Sequence, residues 1–338
     1  ATPLPEQSQA LSIAPIAVGI KKRIFPAAIL ASSVLIVVFG FIVLSGKSST
    51  ANIDTSSILF KSRSLSEGLP NTVVFNVDLK GIKSKNIKIQ QSWDSTKTIL
   101  LQPGQTEATG VYYNPGYFRA KIIVDGKILK EHDLFIPSGK WMATIDHEPV
   151  PTYLNSSELI FDGSMHVSPK IINDLKAEKE PLTLTYHLVR PFNNLSSDNF
   201  SVETRFQNTW GEGPAICKTA KLFILCTKGA FIIPFTIPGC VGEVNLKLND
   251  NILPGRSNDL SAFSTNPSVP MNVNIEVRNR EVSIILNGKL ISKQAYAEDA
   301  GNVVGFRYSF LGAGKVAYLK LSDKSGTLVF DEKFTGKP

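Results

Sequence analysis

Three patterns of hydrophobic and polar positions follow one another along the chain. From Ile24 to Gly46 every residue is uncharged and most are apolar, in the run IFPAAILASSVLIVVFGFIVLSG. A polar spacer, KSSTANIDTSS, comes next. From there to the C-terminus, short runs rich in Val, Ile, Thr and Phe alternate with polar residues and are broken by Gly, Pro, Asn and Asp. That period of two, with those breakers, predicts strands and tight turns. The clearest runs are Asn71–Leu79, Asn86–Ser92, Thr98–Leu101, Tyr117–Val124 and Lys127–Phe135. Asp125-Gly126 sits between the last two as a two-residue hairpin signal. Helical periodicity beyond Gly46 is confined to one short stretch. Ser168-Pro169 provides the cap and first residue, and Lys170 to Lys179 provide the helix. The expected fold class is therefore all-β, with one N-terminal transmembrane helix.

At 1.5 Å per residue the stretch 24–46 is long enough for the hydrocarbon core of a bilayer, about 30 Å. Lys21, Lys22 and Arg23 stand directly before it and only Lys47 follows closely. The basic flank stays on the cytoplasmic side. This orients residues 1–23 as a cytoplasmic tether and places 47–338 in the periplasm or outside the cell. A cleaved signal peptide has a shorter apolar core nearer the N-terminus, so the expectation is a retained single-pass anchor.

A second boundary falls at Thr144–Tyr153 (TIDHEPVPTY), where two prolines and several charges interrupt the strand pattern. It divides the outer part into 53–143, the size of a seven-strand sandwich, and 152–338, the size of a larger two-sheet jelly roll. No repeat of 20–50 residues is present, which excludes propellers and solenoids.

Each block resembles a known family. The first contains SEGLPNTVVFNVDLKG, NIKIQQSWD and TGVYYNPGYFRAKIIVDG, with Trp93, Asp94, Tyr113, Pro115, Gly116, Tyr117 and Val124 at recognisable places. It resembles the PKD-type immunoglobulin-like domain, although Ser95-Thr96 replaces the usual loop after Trp-Asp. The second contains DNFSVETRFQN (198–208), NVNIEVRNREVSIILNGKLIS (272–292), GFRYSFLGAGKVAYLKLSD (305–323) and GTLVFDEKF (326–334). It resembles the concanavalin-like jelly roll of laminin-G modules. Asn287-Gly288 would make one of its tight turns. With the anchor, the pair resembles bacterial envelope proteins.

Composition sharpens this picture. The 338 residues are 43% hydrophobic and 19% charged, which excludes a disordered chain. A mean hydropathy of +0.03 is high because much of it is concentrated in 24–46. The net charge of +7 is spread along strands (KSKNIKIQ, AKIIVDGKILK) rather than gathered on one helix, so no nucleic-acid partner is expected.

Candidate chemistry is sparse. Glycoside hydrolases on this type of sandwich need paired carboxylates, which an E-x-D-x-x-E or E-x-D-x-E run would supply; neither is present. Glu203, Glu212, Glu243, Glu276 and Glu281 are isolated in sequence; a Glu276–Glu281 pair could meet across a hairpin, although exposed strand carboxylates are more often solvated. A G-x-S-x-G elbow and an H-E-x-x-H motif are both absent, and His132, His147, His166 and His187 are dispersed. The expectation is that the chain is not an enzyme. Trp210 (QNTWGEGP) and Tyr296 (KQAYAEDAG) lie in loops and are the candidate ligand-binding aromatics. Cys217, Cys226 and Cys240 are either three buried thiols or one disulfide and one thiol; Cys217 with Cys226 is the expected pair if one forms. No cofactor is required. Calcium is left open at Leu248-Asn249-Asp250-Asn251 and Asn258-Asp259, where no ligand spacing is defined.

These observations predict a membrane-anchored extracytoplasmic binding or adhesion protein. Its jelly roll would recognise a glycan or protein and its PKD-like domain would act as a stalk. The alternatives are the outer part of a sensor with a cytoplasmic domain upstream of residue 1, and a concanavalin-like glycoside hydrolase.

Overall fold

The structure is a computed structural model that describes residues 55–82, 84–92, 94–147, 149–177, 182–211 and 216–336. The expected span at 24–46 and its basic flank lie outside the described residues, as does Trp93. Among the described residues no helix is long and apolar enough to cross a membrane.

The first sandwich has seven strands: β1 (Leu59–Ser64), β2 (Asn71–Asp78), β3 (Ile87–Gln90), β4 (Thr98–Leu101), β5 (Glu107–Tyr112), β6 (Gly116–Val124) and β7 (Lys127–Ile136). They form sheets ordered β1-β2-β5 and β4-β3-β6-β7, all antiparallel. The chain changes sheet between β2 and β3, β4 and β5, and β5 and β6, so sequential strands enclose one core. Alternation places Val73, Phe75, Val77, Ile87, Ile89, Ala120, Ile122 and Val124 inside. Asp125 and Gly126 both take positive φ, 48° and 81°, as a two-residue turn matched to strand twist requires.

The second sandwich begins earlier than the sequence pattern suggests. Strands β8 (Met142–Ile145) and β9 (Thr152–Leu154) form a hairpin, and β8 pairs with β12 (Thr183–Val189). The stretch that resembles a linker is thus an edge hairpin of the jelly roll, with Pro149 and Pro151 confined to its connection, where no ladder N–H is needed. The remaining strands are β10 (Leu159–Phe161), β11 (Met165–Val167), β13 (Asn199–Asn208), β14 (Ala220–Cys226), β15 (Ala230–Phe235), β16 (Asn245–Leu248), β17 (Asn251–Pro254), β18 (Met271–Arg278), β19 (Glu281–Leu286), β20 (Lys289–Ala295), β21 (Val303–Leu311), β22 (Gly314–Asp323) and β23 (Leu328–Glu332). One eight-stranded sheet runs β17-β16-β15-β14-β21-β12-β8-β9. The other runs β10-β11-β22-β13-β18-β19-β20, with β23 on β22.

Two facing sheets bury one aromatic-rich core. Phe206 lies edge-on to Phe235, Tyr308 and Phe310 at 5.3–6.2 Å between ring centres. Its central tyrosines are hydrogen-bonded: Tyr308 and Thr204 hydroxyls meet at 2.7 Å, and Tyr186 donates to the Gly314 carbonyl at 2.9 Å. Helix α1 (Pro169–Ala177) forms where the Ser168-Pro169 signal places it, with the Ser168 hydroxyl accepting the Ile171 N–H at 3.4 Å. The sandwiches are joined within one compact unit, Asp54–Pro338.

Candidate functional site

In the β17-to-β9 sheet, alternate residues point to the jelly-roll core: Leu222 and Ile224, Phe231 and Ile233, Phe306 and Tyr308, Leu184 and Tyr186, Ala143 and Ile145. Their neighbours point outward, and strand register aligns these outward residues in rows. One row is Lys247, Ile232, Phe223, Arg307, His187 and Met142, each the cross-strand partner of the next. Its five strand spacings of about 4.8 Å make it about 24 Å long. The neighbouring row contains Lys221, Ser309, Thr185 and Thr144.

The first sandwich rests on the middle of this face. Arg307 donates through Nη2 to the Pro115 carbonyl oxygen, and Tyr153 donates to the Tyr113 carbonyl at 2.9 Å. Gly116 lies so close that a Cβ there would stand 3.2 Å from Arg307 Nη2. Arg307 Nε is buried with no hydrogen-bond partner, and burial lowers the guanidinium to about 10. His187 is buried beside it. Its Nε2 meets the Thr144 hydroxyl at 2.9 Å and its Nδ1 has no partner. Burial, then the neighbouring charge of Arg307, hold this imidazole well below the ordinary histidine range, so it is neutral. Lys221 is half-buried, and desolvation lowers its ammonium too.

Met142, at the end of the first row, also lines a cleft of about 400 Å³ between the β1–β2 loop (Gly68, Leu69) and the β8–β9 edge. The jelly-roll side carries Ser138, Lys140, Trp141, Tyr153 and Asn155. Trp141 is 4% exposed, packs edge-on to Phe334 at 5.6 Å, and leaves its indole N–H without a partner. The lining contains hydroxyl, amide and aromatic groups and no carboxylate. Convergent polar groups beside the half-buried Tyr153 ring, in a cleft of this size, suit a polyhydroxylated ligand, while the Trp141 ring belongs to the core behind them.

The residues singled out by sequence lie elsewhere. Trp210 is 2% exposed. Its backbone N–H is held by Asn208 Oδ1 at 2.8 Å and its ring fills the space over Gly312. Tyr296 is 5% exposed, donates to the Ser197 carbonyl at 2.9 Å and packs edge-on to Phe231. Both loop aromatics close the core and offer no ring to a ligand. The cysteine pairing is corrected as well: Cys217 bonds to Cys240, and Cys226 is a buried thiol. Cys226 lies on the inward side of β14, whereas Cys217 precedes β14 and Cys240 follows β15, so the two ends of that hairpin meet.

Glu276 and Glu281 do not pair; they face Ser283 and Arg278, and Glu281 meets Lys293 at 2.7 Å. The Asp250 carboxylate accepts the backbone N–H groups of Ala297 and Glu298, and Asp259 accepts that of Ser261. These carboxylates serve as local loop caps. Among the described residues no three His, Cys, Asp or Glu side chains are placed to hold a metal ion. Sequence reasoning missed Arg307, His187, Trp141 and Tyr153. The signal was present in GFRYSF and TYHLV, where a basic residue takes an outward slot between buried aromatic or aliphatic ones.

No family model and no curated protein matches the chain. Solved structures similar to it include an alginate lyase from Corynebacterium sp., 10% identical over 54% of this chain and 94% of that one, with a TM-score of 0.34. A putative glycosyl hydrolase from Parabacteroides distasonis is 12% identical over 54% and 96%, with a TM-score of 0.27. The carbohydrate recognition domain of Emp47p is 9% identical over 56% and 90%, with a TM-score of 0.32. Enzymes stand among these structures, so the expectation that the chain is not an enzyme is withdrawn. The missing E-x-D-x-E run excludes one arrangement of carboxylates and does not exclude catalysis.

Proposed function

We propose that this chain is an extracytoplasmic glycan-binding protein, held to a membrane by residues 24–46. In this reading the first, PKD-like sandwich is the stalk and the jelly roll is the recognition module. The observation that carries it is the cleft between the sandwiches, where the half-buried Tyr153 ring stands beside Ser138, Asn155, Ser156 and Ser157 without a carboxylate among them. Sugars offer apolar ring faces and many hydroxyls, and such a lining answers both. The Cys217–Cys240 bond supports an oxidising compartment outside the cytoplasm.

The test is a glycan array probed with the full chain, followed by titration of the best ligand against Tyr153→Ala and Tyr153→Phe. Loss of the ring is expected to weaken binding about tenfold or more, and loss of the hydroxyl alone to weaken it less. An array without any specific signal would refute the reading. A reducing-end assay on the same polysaccharides reads whether binding is accompanied by cleavage.

A further inference from the structure

The eight strands of the β17-to-β9 sheet contain Lys221, Lys247, Arg307 and His187 and not one Asp or Glu. The opposite sheet of the same sandwich carries Glu203, Glu276, Glu281, Asp323, Asp331 and Glu332 among its lysines and arginines. There Lys320 meets Glu203 at 3.4 Å and Lys293 meets Glu281 at 2.7 Å. Mixed charge is the ordinary composition of a solvated sheet face, because cross-strand pairs of opposite sign stabilise one another. The acid-free sheet gives up that stabilisation. Its cations also lie where register, rather than chance exposure, puts them. Lys247 and Arg307 share one transverse row with Phe223 and Ile232 between them, and Lys221 lies on β14 in the row beside it.

We propose that this acid-free face, from Lys247 across Phe223 and Lys221 to the edge of Arg307, binds an acidic polysaccharide. The carboxylates or sulfates of the polymer take the place of the missing acidic partners, and Phe223 and Ile232 supply an apolar floor for sugar rings. The direction of the row leads through His187 and Met142 to the cleft, and the first sandwich, whose β6 approaches β21 at Arg307 and the adjoining β14, bounds the binding strip on that side. The desolvated ammonium of Lys221 is a group whose charged form an anion would stabilise. The proposal rests on the glycan reading and adds its charge and its track.

The experiment titrates the full chain with polygalacturonate, hyaluronan, chondroitin sulfate and heparin, and with polygalacturonate whose carboxyls have been reduced to alcohols. At least one acidic polymer is expected to bind about tenfold or more tightly than the reduced one, with affinity falling as salt rises. Lys247→Glu and Phe223→Ala are each expected to weaken that binding about tenfold. Lys289→Glu, the same charge change on the other sheet, is expected to alter it less than about twofold. Lys221→Glu serves as a second reversal where circular dichroism confirms folding. Equal affinity for the acidic and reduced polymers would overturn the proposal and leave the glycan reading standing. Equal losses from Lys247→Glu and Lys289→Glu, or equally tight binding of poly-glutamate, would overturn it in favour of unspecific charge attraction. Binding to none of the polymers would overturn it, and the glycan array then decides the broader reading separately.

Discussion

Arg307 on β21 donates a hydrogen bond to the carbonyl oxygen of Pro115 in the first sandwich, a contact between residues 192 positions apart. A guanidinium buried against one carbonyl recovers only part of its lost hydration, because Nε has no partner. Such a group contributes more to relative placement than to stability. Replacing it with an apolar side chain of similar length, Arg307→Met, is expected to change global stability by no more than about 1 kcal/mol in urea. The same variant should raise amide hydrogen exchange at Gly116–Phe118, where β6 begins. A wider Gly116→Leu change, which drives a side chain against Arg307, should raise exchange further. Unchanged exchange in both variants would mean that the sandwiches are held together elsewhere.

His187 predicts a pH dependence with a definite sign. Its pKa is depressed in the folded chain, chiefly by burial and secondarily by the Arg307 charge. Above the unfolded value of about 6.5 the imidazole is neutral in both states and the group does not affect stability. Below it the unfolded chain binds a proton that the folded chain refuses, so stability falls as pH falls, by up to about 1.4 kcal/mol per pH unit. His132, also depressed by burial, acts in the same direction. Urea midpoints measured from pH 7.5 down to 5 should decline in the wild type and decline less steeply in His187→Gln. Parallel slopes would show that His187 is protonated in the folded state.

The Cys217–Cys240 bond closes the β14–β15 hairpin over a separation of 23 residues. Loop-closure entropy for a ring of this size is worth about 3 kcal/mol. Reduction, or a Cys217→Ser, Cys240→Ser double change, should lower stability by about that amount. Peptide mapping without reductant should recover the two half-cystines linked. Cys226 should resist alkylation until the chain unfolds, since burial pushes its thiol far above the usual range. Recovery of a 217–226 peptide would overturn the pairing.

Local structure was legible in the sequence where a local rule governs it. Asp125-Gly126 and Asn287-Gly288 take positive φ where two-residue hairpins need it, and Ser168-Pro169 opens the helix. The alternation in DNFSVETRFQN matches β13, with Phe200, Val202, Thr204 and Phe206 inside. What depends on distant pairing was not legible. Nothing near His187 in the chain announces that Arg307 will stand opposite it on the next strand, and the row they share exists only once five strand pairings, three of them between strands distant in sequence, have set their registers. Pro149 and Pro151 read as a linker because a turn on a sheet edge and a flexible connection use the same residues. Cys226, the expected partner of Cys217, points into the core, a fact fixed by the strand period and the choice of face.

Trp210 is where composition misled most. A tryptophan among Gly, Glu and Pro reads as an exposed loop aromatic, yet Gly312 on the neighbouring β21–β22 turn has no side chain and lets the ring settle against the backbone. A Cβ on Gly312 would lie 2.3 Å from Trp210 Cδ2, and Gly312 has φ +88°, which disfavours any other residue. Two substitutions therefore act on one contact. Trp210→Ala should cost about 3–5 kcal/mol, as expected for emptying a buried aromatic site. Gly312→Ala should cost about 2–4 kcal/mol through overpacking and backbone strain. Because each change removes the same ring-to-glycine fit, the double variant should cost clearly less than the sum, by about 1 kcal/mol or more. Urea unfolding of the three variants measures this coupling. Strict additivity, or a Trp210→Ala variant with native stability and lost glycan binding, would restore Trp210 to the surface and to a ligand role.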